Sequence, residues 1–266
     1  MDQVIYGINS VMEALKAPGQ RVKEVFIAQN RKTRTARILE LAGKQRARVR
    51  YVDREELTAL AKTRSHQGLV ALVEGYQYAT LEHILHRWKE TGLRALILVL
   101  DSIQDPQNLG AMIRTANVCG VDGVIIPKDR AASVNPAVVK TSAGATAFTP
   151  VARVTNITST LQRLREEGIW IIGAAGGGET SLFNQDLAMD LAVVIGSEGQ
   201  GIRPRVLSTC DLVVSIPMKG QVSSLNASVA TGVILYEVLR QRLIKADSMR
   251  IGHDENRNPR AGDLGD

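Results

Sequence analysis

Aromatic side chains are scarce in this sequence, at 4% of 266 residues. Base stacking is therefore a minor mode of recognition for this chain, and were it to hold a nucleic acid, contact with backbone and shape would be the favoured mode. Cysteine is scarcer still. Cys119 and Cys210 stand far apart and outside any C-x-x-C spacing, which excludes a disulfide framework. With four histidines in all, no zinc site is indicated; His83 and His86, three apart on a helix, have the spacing to share a metal but read better as a solvated helix face, so no metal is expected. No run approaches the roughly 20 apolar residues of a membrane span, and MDQVIYGINS lacks the charged and apolar regions of a signal peptide. The expectation is a cytoplasmic protein with no membrane partner.

What is present is unevenly placed. Residues 1–76 hold 14 Lys and Arg against 8 Asp and Glu, whereas residues 77–266 hold 19 of each. The net charge of +6 thus sits wholly in the first third. Segment 31–50, RKTRTARILELAGKQRARVR, has eight basic residues and one acid, a composition suited to neutralising phosphates and also to solubilising a helix face.

Apolar periodicity divides the chain. KEVFIA (23–28), RVRYV (48–52) and GLVALVE (68–74) read as strands, with helices at 8–15, 35–44 and 54–61, which implies a small α/β unit over residues 1–76. A linker follows over 77–93, with LEHILHRWKE as its helix. From 94 to 245 a second series has strands at 95–100, 123–127, 169–173, 191–196 and 212–217. Runs as continuously apolar as these are buried on both faces, so the expected sheet is mainly parallel and covered by helices. A last helix is expected from about Leu225 to Ile244. Residues 246–266 are polar and rich in Gly, Asp and Arg, and read as a disordered tail.

Three segments carry candidate chemistry. MKGQVSSLNASV (218–229) leaves the strand LVVSIP and enters the last helix through Ser223, Ser224 and Asn226, where free N–H groups collect. An ordinary N-cap accounts for the same residues. VVIGSEGQGI (193–202) puts Glu198 among three glycines directly after a buried strand, so the backbone there can pass close to a ligand. Its G-x-x-G-x-G order is not the dinucleotide fingerprint, and no P-loop occurs, which leaves oxidoreductase and nucleotide-hydrolase readings with little support. In LDSIQDPQNLGAMIRTAN (100–117) the stripe Leu109, Met112, Ile113 and Ala116 faces a core, and Arg114 lies about 140° round the helix from it. Arg114 must point to solvent, to RNA or to another subunit.

Taken together, the three segments resemble the motifs of the SpoU, or TrmH-like, family of RNA 2′-O-ribose methyltransferases. The matching residues are Asn108, Gly110 and Arg114, then Gly196, Glu198, Gly199 and Gly201, then Ser224, Leu225 and Asn226. Likeness extends to about Arg242, and within the family it is greatest to bacterial enzymes that methylate a guanosine of 23S rRNA. The resemblance implies an α/β fold with a deep trefoil knot in the C-terminal SPOUT domain, a small N-terminal domain similar to ribosomal protein L30, and a homodimer. It further implies S-adenosylmethionine as cofactor and 23S rRNA as partner.

Ribose methylation is an in-line displacement that needs help at the hydroxyl, donors for growing oxyanion character and a cofactor cradle. By the resemblance, Arg114 activates the 2′-OH, Asn108 positions substrate, Glu198 accepts hydrogen bonds or orients Arg114, and Ser224 and Asn226 face the ribose and the methionine end. The guanidinium, the carboxylate and the Ser/Asn pair are expected to converge. The cradle is expected from Gly173, Ala174, Gly196, Ile216, Met218 and Leu225. Gly176 to Gly178 form a triple glycine where a loop must bend, with no contact assigned to them. Two other readings stand beside this one: the same chemistry on tRNA, and a noncatalytic RNA-binding protein of ribosome assembly.

Overall fold

The computed structural model describes residues 2–16, 21–29, 35–177 and 180–255. Residues 31–34 of the basic segment, Gly178 and residues 256–266 of the expected tail lie outside the described residues.

The chain first builds a four-stranded sheet from β1 (Gln3–Tyr6), β2 (Val22–Ala28), β3 (Arg48–Val52) and β4 (Leu69–Val73), in the order β1-β4-β2-β3. β4 runs antiparallel to β1 and β2, and β2 is parallel to β3. Alternation in β2 sends Val25 and Ile27 to one face, against α1 (Ile8–Lys16) and α2 (Ala36–Lys44), and Phe26 and Ala28 to the other, against Leu57 of α3 (Arg54–Ala61). α4 (Leu81–Thr91) then bridges to the second sheet. It starts where Thr80 accepts the His83 N–H at 3.1 Å and stops at Gly92, whose φ of +62° suits a glycine.

The second sheet has seven strands, all parallel: β5 (Leu96–Asp101), β6 (Gly123–Pro127), β7 (Val151–Val154), β8 (Trp170–Ala174), β9 (Thr180–Ser181), β10 (Leu191–Gly196) and β11 (Leu212–Ser215). Their order is β7-β6-β5-β10-β8-β11-β9. The helices are α5 (Pro106–Val118), α6 (Pro136–Thr141), α7 (Ile157–Glu166), α8 (Pro204–Leu207) and α9 (Ala227–Glu255). In β5, Leu96, Leu98 and Leu100 pack beneath α5 and α9, while Ile97 and Val99 pack beneath α4 and α7. Both faces are covered, and each such fully buried side chain contributes about 1.5–3 kcal/mol. The stripe expected on α5 is buried, and Gly110 beside it leaves room for α6, since a Cβ there would lie 2.6 Å from Thr141 Cβ.

Three strands, β1, β7 and β9, were not anticipated from the sequence. The expected strand 212–217 ends at Ser215, because Pro217 has no N–H to give a ladder. The last helix does not stop near Ile244 but continues to Glu255, as nothing from Ala246 to Ile251 breaks a helix. Among the described residues no helix is long and apolar enough to cross a membrane. The two sheets meet where α1 packs on α6, with an ion pair between Glu13 and Lys140, and where the Tyr76 hydroxyl donates to the Thr146 carbonyl at 3.2 Å.

Candidate active site

Parallel strands bring their carboxyl ends to one edge, the usual place for a ligand in an open α/β sheet. Here β8, β10 and β11 end around a cavity of about 640 Å³, within the roughly 300–1,000 Å³ of small-molecule sites. Ala174, Gly196, Ile216, Met218 and Leu225 line it, as do Glu198 and Ser224. Gly173 does not. It sits behind the wall, where a Cβ would come 2.9 Å from Cys210 Sγ and 3.3 Å from Leu207 Cδ1. Its lack of a side chain therefore sets how closely β8 packs on α8. Burial raises the Cys210 thiol to about 12, with the Asp211 carboxylate adding to the shift.

The loop after β10 folds straight back over the strand end. A Cβ on Gly196 would lie 2.0 Å from the Gly201 carbonyl carbon, so no larger residue fits. Gly201 turns the loop at φ +66°, and Ser197 and Gly201 exchange N–H···O bonds of 3.1 and 2.8 Å. Glu198 stands at the tip. Its Oε1 accepts Asn108 Nδ2 at 2.9 Å, the short bond from Asn226 Nδ2, and the Ala227 N–H at 3.4 Å. Asn226 Nδ2 also donates to Asn108 Oδ1 at 3.1 Å. Asn226 Oδ1 caps α9 by accepting the Ser228 N–H at 2.9 Å and Ser228 Oγ at 2.5 Å. A carboxylate is thus held at the start of one helix by amides from the starts of two, where the helix dipole favours it.

The sequence profile of the SpoU rRNA Methylase family matches residues 95–236, and that of the RNA 2′-O ribose methyltransferase substrate-binding domain matches residues 4–79. The chain belongs to the SpoU rRNA methylase family. It is 43% identical to the 23S rRNA (guanosine-2′-O-)-methyltransferase RlmB of Coxiella burnetii over 245 residues, 92% of this chain and 98% of that one. A Bacillus subtilis relative named as a TrmH-family tRNA/rRNA methyltransferase is 41% identical over 239 residues, 90% of this chain and 95% of that one. Among solved structures, the SpoU methyltransferase AviRb of Streptomyces viridochromogenes, in complex with AdoMet, superposes with a TM-score of 0.64 at 28% identity, covering 91% of each chain. The resemblance carried by the three motifs holds, and the chain is an RNA 2′-O-ribose methyltransferase.

Within this SpoU site the expected convergence is only partly met. Asn108, Glu198 and Asn226 touch, and Ser224 shares the cavity with Glu198, but Arg114 does not line it. Six residues past Asn108, Arg114 lies about 9 Å further along α5 and about 120° away round its axis. Its side chain is exposed, with no hydrogen bond or ion pair to any described residue. The guanidinium is a free group on the surface of its own chain, consistent with the outward direction expected from the helix pattern. Ser228 and the buried Asp101 were not singled out from sequence. Ser228 repeats the Ser/Asn pattern of the cap, while Asp101 shows only as a carboxylate ending an apolar strand.

Proposed function

We propose that this protein methylates the 2′-hydroxyl of a guanosine ribose in 23S rRNA, with S-adenosylmethionine as methyl donor. The observation that carries the reading is that Glu198 belongs both to the cavity wall and to the Asn108–Glu198–Asn226 cluster. A polar clamp therefore borders a space of cofactor size. The names of the RlmB relatives supply the substrate, and the AdoMet complex of AviRb supplies the cofactor.

The cavity fits such a cofactor, because Gly196 lets backbone approach closely while Ile216 and Leu225 offer apolar walls to an adenine. Backbone groups of Ile216 to Met218 and of Ala174 would hold its polar edge, and Ser224 would face its ribose and methionine end. When bound, the cofactor supplies an electrophilic methyl group on a sulfonium. Asn108 and Asn226 orient the target ribose, and Glu198 keeps their amides turned. Arg114 donates to the developing alkoxide and a neighbouring phosphate. A guanidinium keeps its proton in water, so the hydroxyl proton passes to phosphate or solvent.

Residues 1–76 would hold the RNA, 77–93 link, and 94–245 carry out transfer, in the cytoplasm. The family reading includes a trefoil knot; supporting it, β10 lies between β5 and β8, and the chain steps past β8 to β11 before α9 returns to pack on α5. It also includes a homodimer. Supporting that, Val229, Tyr236 and Leu243 stand exposed at seven-residue intervals on α9, an apolar stripe of the kind helices pair along.

Labelled S-adenosylmethionine incubated with unmodified 23S rRNA or tRNA tests the reading, with label expected in one guanosine ribose of the rRNA. Label in tRNA alone would move the activity to the second reading; the name of the Bacillus subtilis relative covers both RNAs. No label in either RNA would remove both. Co-purified Arg114→Ala and Gly196→Ala copies decide whether Arg114 serves its own cavity, since activity returns only if it serves the partner's.

A further inference from the structure

Asp101 ends β5 with its side chain fully buried, and the chemistry above makes no use of it. Its Oδ2 accepts the Arg203 backbone N–H at 2.8 Å, and its Oδ1 accepts Arg203 Nε at 2.8 Å and Ser102 Oγ at 3.4 Å. Arg203 Nη2 lies 2.6 Å from the same Oδ1. One carboxylate therefore grips both the backbone and the side chain of a residue 102 positions away. Stability is a poor reason for such a pair. Withdrawing a carboxylate from water commonly costs more than the ion pair returns, and apolar residues of like volume would close a strand end as well. What a buried, multiply bonded pair does supply is fixed geometry.

The geometry it fixes is that of the Glu198 loop. Gly196 lies beside Asp101 in the β5–β10 ladder, the loop closes its own neck through Ser197 and Gly201, and it leaves at Arg203. Both ends of the loop thus meet at Asp101, Gly196 beside its backbone and Arg203 on its carboxylate. On the other side, β5 passes through Ser102, at φ +66°, into the α5 segment that carries Asn108. The pair accordingly joins the two stretches of chain whose tips, Asn108 and Glu198, are bonded at 2.9 Å.

We propose that Asp101 and Arg203 form a positioning pair for methyl transfer: they hold the Glu198 carboxylate against Asn108 and Asn226 and keep the 196–202 wall of the cavity at its spacing. Neither residue touches the reacting atoms. The inference rests on the reading of the cavity as the S-adenosylmethionine site.

Full-length Arg203→Ala, Arg203→Lys, Asp101→Asn, Glu198→Gln and the Arg203→Ala/Glu198→Gln double variant test it, by calorimetric titration with S-adenosylmethionine and by single-turnover transfer to 23S rRNA. Arg203→Ala should weaken cofactor binding by about 10-fold and slow transfer by about 10- to 100-fold, as misplacing a site by an ångström does. RNA affinity should not change. Arg203→Lys, which keeps a charged donor, should recover part of both losses. At saturating S-adenosylmethionine, where the effect on the cavity wall drops out, the double variant should be slower than Glu198→Gln by no more than about 2-fold, because in the transfer step the pair acts through Glu198. If Asp101→Asn does not fold, the Arg203 variants decide, since that side chain is 42% exposed. A folded Arg203→Ala protein with wild-type cofactor affinity and turnover, even if it melts earlier, would overturn the pair, and so would losses that multiply with Glu198→Gln. Wild-type protein that binds no S-adenosylmethionine would instead sink the reading of the cavity.

Discussion

The first sheet carries the charge and the second carries the cavity. β3, on the open edge of the first, exposes Arg48, Arg50 and the half-exposed Tyr51, whereas every residue of β5 and β10 in the second is buried. An edge strand can offer its side chains along its length to an extended polyanion. A strand covered on both faces can offer only its ends, and in the second sheet the polar residues of the cavity stand at the carboxyl ends of the strands. Recognition and chemistry are thereby assigned to surfaces of different kinds, and each assignment can be broken separately.

The largest effect is expected at Arg114. Arg114→Ala should lower single-turnover transfer by roughly 10²–10³-fold, the range for losing one donor to a developing oxyanion, while calorimetry shows cofactor affinity unchanged. Near-normal turnover would strip the residue of its role. Gly196→Ala comes next. Its new Cβ has backbone 2.0 Å away, so the loop must move, with an expected cost of about 3 kcal/mol in denaturant unfolding and loss of measurable cofactor binding. A variant with wild-type stability and affinity would contradict the packing described for that loop.

Arg48→Ala with Arg50→Ala addresses the other sheet. RNA affinity should fall, and the slope of its logarithm against that of salt should flatten by about 0.7–0.9 for each phosphate no longer neutralised, with cofactor binding untouched. An unchanged slope would detach the basic edge from RNA. The smallest effect concerns Cys210. With its thiol raised to about 12 by burial, the reactive thiolate is present only well above neutral pH. At pH 8 iodoacetamide should label the half-buried Cys210 of the native protein far more slowly than that of denatured protein, and equal rates would refute the raised thiol.

Much of the second sheet was legible because its strands are continuous apolar runs: GVIIP and LAVVIG fall at 123–127 and 191–196 with no shift of boundary. β7 was not, since VARV is short and carries an exposed Arg153 on its outer edge. QVIY of β1 is likewise too short for alternation to show, and is defined only by its pairing with β4. In the site, Asn108, Glu198 and Asn226 could be named from motifs, but Asp101 could not. Its meaning depends on Arg203, and no local pattern links residues 102 apart. That Gly173 stands behind the lining could not be read for a related reason: sequence shows that a glycine follows a strand, not which side of the wall its missing Cβ faces.

α9 does more than close the sheet. At its start Asn226 reaches Asn108, 118 positions earlier, and four turns on Arg242 donates to the carbonyls of Arg94 and Ala95, at 2.9 and 2.6 Å, 148 and 147 positions earlier. During synthesis, therefore, the segments bearing Asn108 and Glu198 are translated with their fastener still missing, and the nascent chain cannot close the Asn108–Glu198–Asn226 cluster until the final helix has cleared the exit tunnel.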